Sequence, residues 1–407
     1  MEEQLHLACT KGDVQEVQRL LANHNPIIDL NYNLNQDCEP SGTPFYIACE
    51  RGHIDIVKLL VNVERVDINR GNNNGMTPFY IACKNNHLEV VKLLLNDDRV
   101  EIHKADNQYG YTPFHIACYK GHVDIVKILL SDDRIDVNLA TDGETPFYIA
   151  CERGHIDIVK ILLNDQEVDI NQANYYHSPF FAACSYGHAD IVKLLVNDER
   201  IEDRDFEMYF IVACQEGKIE VVKILLNDQR VGINEINGFG DLIPFYIVCE
   251  RGYIDIVKLL LSDKRVNVNK ANINLKTPFY IACEKEYIDI VKLLLNDQRI
   301  DINKSNYFGE TPFCVTCKNG HLEIVEYILV SGREVNLTAK DYEGKTTIEV
   351  TRKEMNVYSK GIFESEENYQ KRMKNYPKII ELLESFEMDP NETRIRLKIE
   401  LDFLGNI

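Results

Sequence analysis

The chain repeatedly places a cysteine four residues ahead of a histidine, among them Cys49 and His53, Cys118 and His122, Cys151 and His155, Cys184 and His188, Cys317 and His321. Thiolate and imidazole are zinc ligands, and a closed structural site needs four of them converging on one ion. These pairs instead recur at a nearly fixed interval, each with only two ligands, so the spacing reads as a by-product of a repeat. "GKTT" at 344–347 resembles the end of a phosphate-binding loop, but Ala339 stands where that motif requires its first glycine, so the match fails. "NLT" at 336–338 and "NET" at 391–393 match glycosylation sequons. The N-terminal 25 residues lack the basic start and apolar run of an export signal. No Ser-His-Asp or paired-carboxylate arrangement stands outside the repeat register. The expectation is therefore a non-enzymatic protein with no cofactor and no metal.

Sixteen residues, "TPFYIACERGHIDIVK", stand at 43–58 and again at 145–160. Near-copies fill the interval. Ten cysteines, Cys9, Cys49, Cys83, Cys118, Cys151, Cys184, Cys214, Cys249, Cys283 and Cys317, mark the unit with spacings of 40, 34, 35, 33, 33, 30, 35, 34 and 34. A cysteine fixed inside an apolar helix acts as a small buried hydrophobe. That use of cysteine, with no export signal, points to a reducing compartment. The chain is expected in the cytoplasm, and nothing in the sequence speaks against the nucleus.

Residues 43–76 show why the unit folds as it does. Thr43 can cap a helix whose first turn holds Pro44, and Gly52 can close it in a left-handed conformation. A second helix covers roughly 53–62, with Asp55, Lys58 and Asn62 forming one polar stripe among Ile54, Ile56, Val57, Leu59, Leu60 and Val61. A helix so short and so apolar is stable only between neighbours. The Asn- and Gly-rich stretch that follows makes an extended turn to the next Thr-Pro.

Helix, turn, helix and extended turn at this period resemble the ankyrin repeat. The signature reads "TPFYIAC" at 43, 77, 145 and 277 and "TPFHIAC" at 112, with relaxed forms at 178, 243 and 311. The resemblance implies an all-α fold, a right-handed α-solenoid with short β-hairpin-like turns between helix pairs. It covers about ten copies over residues 1–350. Residues 351–387 read as an insertion and a degenerate capping repeat. Residues 388–407 read as a tail in which Asp389, Pro390 and Glu392 suit a helix start. In the first copy Glu16 and Arg19 replace apolar residues, as expected of an end repeat at a natural N-terminus. The shortened interval near 200–210, where Arg204 to Tyr209 replace the turn and Thr-Pro, is expected to be a weak junction.

Formal charge is −20, which argues against nucleic acid and mildly favours basic partner surfaces. No run reaches the roughly 18–20 apolar residues of a membrane span, so membrane insertion is not expected. The chain is expected to be a monomer. The ankyrin resemblance implies that a protein partner lies on the concave surface, built from the residues before each Thr-Pro and after each Cys. Tyr109, Tyr111 and Tyr119, then Tyr175, Tyr176 and Tyr186, and finally Tyr307 and Phe308 stand in those slots. Rigidly held aromatics are typical of binding hot spots. The alternative is a two-ended adaptor whose tail recruits a second protein, as in ankyrin proteins that serve ubiquitin ligases; no ligase-binding box supports it. A spacer with no tight partner is the third reading.

Overall fold

The computed structural model describes residues 1–22, 29–33, 42–174, 177–201, 205–234, 242–356 and 365–403, with backbone alone for 402 and 403. Among them the regular elements are helices, with no sheet, and isolated bridges join Thr141 to Glu144 and Lys340 to Thr346. It forms two compact units, residues 1–202 and 203–407.

In each unit the helices alternate between two rows. Helices that open with the Thr-Pro motif, such as Pro44–Arg51, Pro78–Lys84, Pro113–Lys120 and Pro146–Arg153, pack on one another in sequence order. The intervening helices, Ile54–Val61, Leu88–Leu95, Val123–Leu130 and Ile156–Leu163, form the second row. In the second unit Pro244–Arg251, Pro278–Glu284, Pro312–Lys318 and Thr347–Asn356 continue one row, and Ile254–Ser262, Ile288–Leu295 and Leu322–Val330 the other.

Local chemistry accounts for each joint. Thr43, Thr77, Thr145, Thr277 and Thr311 accept the backbone N–H three residues on at 3.1–3.2 Å, which satisfies a donor the helix cannot. The repeat cysteines are buried, and burial pushes the Cys9 and Cys283 thiols up to about 12. They are packing groups at neutral pH.

The histidines of these pairs do a different job. His122 Nε2 lies 2.9 Å from Lys84 O, His155 Nε2 3.0 Å from Tyr119 O, and His188 Nε2 2.8 Å from Glu152 O. A carbonyl only accepts, so each ring donates from Nε2 to an end carbonyl of the preceding copy's first helix. Each imidazole therefore ties two copies together, while its sequence-adjacent cysteine is buried in its own.

Two further ties escape the sequence reading. In the "ND-x-R" segments, Asp97 orients Arg99, whose guanidinium donates to Val61 O at 2.9 Å. Arg134, Arg200, Arg265 and Arg299 reach Leu95, Leu163, Leu226 and Leu261 in the same way at 2.6–2.8 Å. Each arginine thus caps the second helix of the copy before it. The asparagine of "VDIN" forms a second ladder: Asn69 donates to Arg99 O at 2.7 Å and accepts from Glu101 N at 2.9 Å. Asn138, Asn269 and Asn303 repeat both bonds one copy further on.

The glycines between paired helices carry a double constraint. Gly154 has φ +77, and a Cβ there would lie 2.5 Å from the His188 ring. Gly110 has a similar φ of +67, yet its Cβ would meet nothing closer than 3.9 Å. Gly154→Ala is therefore expected to cost about 2 kcal/mol, from backbone strain plus displacement of the His188 tie, against about 1 kcal/mol for Gly110→Ala. Urea unfolding of the two variants checks this; equal losses would mean that the ring adjusts freely. Asn86 and Glu286 hold the same slot as Gly154 at φ +62 and +60, in helices that stop one residue earlier relative to it.

The second unit begins with Phe206–Gln215, which has no Thr-Pro and buries Phe206 and Tyr209, with Arg230 4.0 Å above the Phe206 ring. Residues 202–204, at the proposed weak junction, lie outside the described residues. At the other end Glu366–Met388 packs on Thr347–Asn356, and Tyr376 donates to Lys318 O at 2.7 Å, the role histidine fills elsewhere. A last helix, Pro390–Phe403, is capped by Asp389, which accepts from Glu392 N at 2.9 Å. Leu397 and Leu401 bury its inner face.

Candidate functional site

The turns before each Thr-Pro project from the first row, and their backbones bond to one another. Asn107 N donates to Asn74 O at 2.8 Å, Tyr307 N to Asn274 O at 2.9 Å, and Tyr342 N to Phe308 O at 2.9 Å. Side chains on these tips are therefore held by fixed backbone.

In the first unit the structure brings Tyr109, Tyr111 and Tyr119 into one cluster, and Glu152 and Arg153 link Tyr186 to it. Tyr111 is its centre. Its ring lies 5.7 Å from Tyr109 and 5.8 Å from Tyr119, and its hydroxyl donates to Glu144 at 2.9 Å. Tyr111 and Tyr119 are half-buried against Tyr148, Ile149 and Ala182. Arg153 sits 4.2 Å over the Tyr119 ring and 3.1 Å from Glu152. The Glu152 charge beside Tyr186 in turn raises that phenol's pKa, helped by burial. Tyr109 and Tyr186 are each 55% exposed. Tyr175 and Tyr176 lie outside the described residues.

Between these rings opens a cleft of about 490 Å³. Its walls are Tyr109, Tyr111, Tyr119, Tyr80, Ile116 and Met76, and Lys84, Lys120 and Arg153 stand around them with Gln108. The volume falls in the range of small ligand pockets.

Asp106 sets the floor of the same tip. Its Oδ1 accepts from Tyr111 N at 2.8 Å, while its buried Oδ2 meets no hydrogen-bond partner. Other copies carry asparagine here, and Asn72, Asn272 and Asn306 donate to the hydroxyls of Tyr46, Tyr246 and Tyr280 at 3.1, 3.3 and 2.9 Å. In this copy the hydroxyl is that of Tyr80, whose pKa burial and the Asp106 charge raise. Asp106→Asn is expected to restore the missing donor and raise stability by about 1 kcal/mol. An unchanged or lower urea midpoint would count against it.

The second unit carries its own aromatic tip. Tyr307 is 71% exposed and meets Phe308 edge-on at 5.8 Å; Phe308 lies 5.7 Å from Tyr342. Ile273 and Leu275, on the neighbouring tip, are also exposed. Leu275 has φ +58, where Gly75, Gly110 and Gly309 stand in other copies. A branched residue in that region costs backbone strain, and such outliers cluster at functional surfaces. Tyr342, Ile273 and Leu275 are not among the residues the sequence singles out; at 275 the available signal is an apolar residue in the place of the turn glycine.

The last two helices leave a further apolar stripe. Met388, Ile395 and Ile399 are exposed along a groove beside Glu392 and Arg396. Among the described residues no helix is long and apolar enough to cross a membrane, and no three metal-ligating side chains gather.

A family model described as "Ankyrin repeats (3 copies)" matches residues 5–106, 45–141, 100–174, 133–208, 166–237 and 210–306. Another, "Ankyrin repeats (many copies)", matches 296–350. Among curated proteins, none matches the chain.

Proposed function

From the premise that this chain belongs to the ankyrin-repeat family, whose members are in general protein–protein interaction modules and typically non-catalytic, we propose that it binds a partner protein through its aromatic turn tips. The observation that carries this reading is the Tyr109–Tyr111–Tyr119 cluster, with Tyr186 linked to it through Glu152 and Arg153 and both Tyr109 and Tyr186 more than half exposed. Tyrosine offers large amphipathic contact area at low entropic cost, the composition of binding hot spots. The tip of Tyr307 and Phe308 supplies a second such surface in the other unit. In this reading the repeated residues are frame, and the binding face is the concave one of the ankyrin family. A cytoplasmic location goes with it, since the buried thiols suit a reducing compartment.

Affinity capture from a native-source lysate tests it, comparing wild type with Tyr109→Ala/Tyr186→Ala and with Tyr307→Ala. Loss of an interactor with the fold intact supports the tips as the binding face. An unchanged list of interactors overturns it. The exposed Ile395 and Ile399 favour a second, additional reading, the two-ended adaptor. Interactors that survive the tip variants and disappear with Ile395→Glu/Ile399→Glu belong to that surface.

A further inference from the structure

The cleft between the tyrosines of the first unit is charged against the sign of the whole chain. Formal charge is −20, yet Lys84, Lys120 and Arg153 line this cleft and no Asp or Glu does. Four other clefts on the molecule each include carboxylates, such as Glu284 and Glu286 in one and Asp389 and Glu392 in another.

The reason lies in two slots of the repeat, the residue before Thr-Pro and the residue after Cys. In two copies of the second unit these slots neutralise each other: Lys276 pairs with Glu284 at 2.8 Å, and Lys318 with Glu310 at 2.6 Å. In the first unit Lys84 occupies the slot of Lys318, but Met76 stands where Glu310 would. The Lys84 ammonium therefore rests 3.7 Å from the Met76 sulfur. Lys120 lies 5.6 Å from the Tyr119 ring centre. Among the described residues neither lysine has a carboxylate within ion-pair distance. Two of the nearby acids are engaged, Glu144 by the Tyr111 hydroxyl and Glu152 by Arg153, and Asp106 is buried beneath the tip with its Oδ1 accepting from Tyr111 N.

We infer that this cleft receives an acidic segment of a partner protein, in which one or two carboxylates meet Lys84 and Lys120 while an adjacent apolar side chain lies between Tyr109 and Tyr119. The inference rests on the tip-binding reading and adds the chemistry of the occupant. Cation-lined aromatic walls suit such a segment because Lys84 rests against the Met76 sulfur with no carboxylate partner among the described residues, and a carboxylate supplies the counter-charge the copy lacks. The segment is the reverse of what net charge alone favours.

Selection of a random-sequence peptide library on the full chain tests this. The expected pool is enriched in Asp and Glu beside apolar residues, and its leading peptide binds about tenfold more weakly to Lys84→Gln/Lys120→Gln and more weakly as salt is raised. Both lysines reach solvent, and circular dichroism checks the fold of the variant. A neutral or basic pool, or acidic peptides that bind the glutamine variant equally well, overturns the inference; if Tyr109→Ala still releases those peptides, the tip-binding reading stands without it. A pool no different from the starting library also overturns it, and the lysate capture then decides the tips separately.

Discussion

Between pH 6.5 and about 4 the first unit is expected to lose about 3 kcal/mol of stability through one side chain, His115, and the His115→Tyr variant is expected to keep it. His115 is fully buried in the first helix of its copy, and burial pushes its pKa down from 6.5 to about 4. Its Nε2 lies 3.2 Å from Glu144 O and its Nδ1 2.6 Å from Thr112 Oγ1. Because the carbonyl can only accept, the neutral ring donates from Nε2 and receives the Thr112 hydroxyl at Nδ1. A second proton at Nδ1 would point at that hydroxyl and place a charge in the core.

In this pH window the unfolded chain binds a proton at residue 115 and the folded chain does not. Stability is therefore fully present above 6.5 and falls as pH drops toward 4. Tyrosine is a safe replacement, since Tyr46, Tyr80, Tyr148, Tyr246 and Tyr280 fill the same buried slot in other copies. Its hydroxyl would also approach Thr141, whose buried Oγ1 meets no partner, because residue 26 positions on is the partner of Tyr46 and Tyr280. His6 and His177, whose pKa values burial also lowers, contribute with the same sign to both proteins and cancel in the difference. Urea unfolding of each at neutral and acid pH reads the effect. Parallel pH dependence in the two proteins would remove His115 as the cause.

The second large effect concerns binding. Tyr109→Ala with Tyr186→Ala is expected to weaken the captured partner's affinity about a hundredfold, the scale of two moderate hot-spot residues. Both rings are more than half exposed, so little of this loss should pass through the fold. Tyr111 is a poorer probe. Its ring packs on Tyr148, Ile149 and Ala182 and its hydroxyl holds Glu144, so Tyr111→Ala would disturb the frame as well as the surface. Tyr119 shares that packing and also lies under Arg153. The distinction between the two pairs is not visible in the sequence, where all four tyrosines stand in variable slots before a Thr-Pro or after a Cys.

Much of the frame was legible because it depends on neighbours in sequence. Thr43 caps Tyr46, Gly52 closes the helix it follows, and the apolar positions of 53–62 announce a helix that must be covered. The arginine and asparagine ladders were not legible. Arg99 reaches Val61 and Asn69 reaches Arg99 across 38 and 30 residues, and nothing local marks either as other than a solvated polar group. The same holds for His155, whose spacing from Cys151 reads as a by-product of the repeat and gives no sign of its carbonyl partner on the previous copy. On the binding face, aromatic doublets drew notice, whereas Lys84 gains meaning only from Met76, eight residues earlier, taking the place of the glutamate its relative Lys318 has.

The most direct test of the account is the affinity of the captured partner for wild type and for Tyr109→Ala/Tyr186→Ala, measured with the unfolding midpoint of each protein. The account predicts an affinity lower by about a hundredfold at a nearly unchanged midpoint. Equal affinity in two equally stable proteins would contradict it and move the search for the binding surface to Ile395 and Ile399 on the last helix.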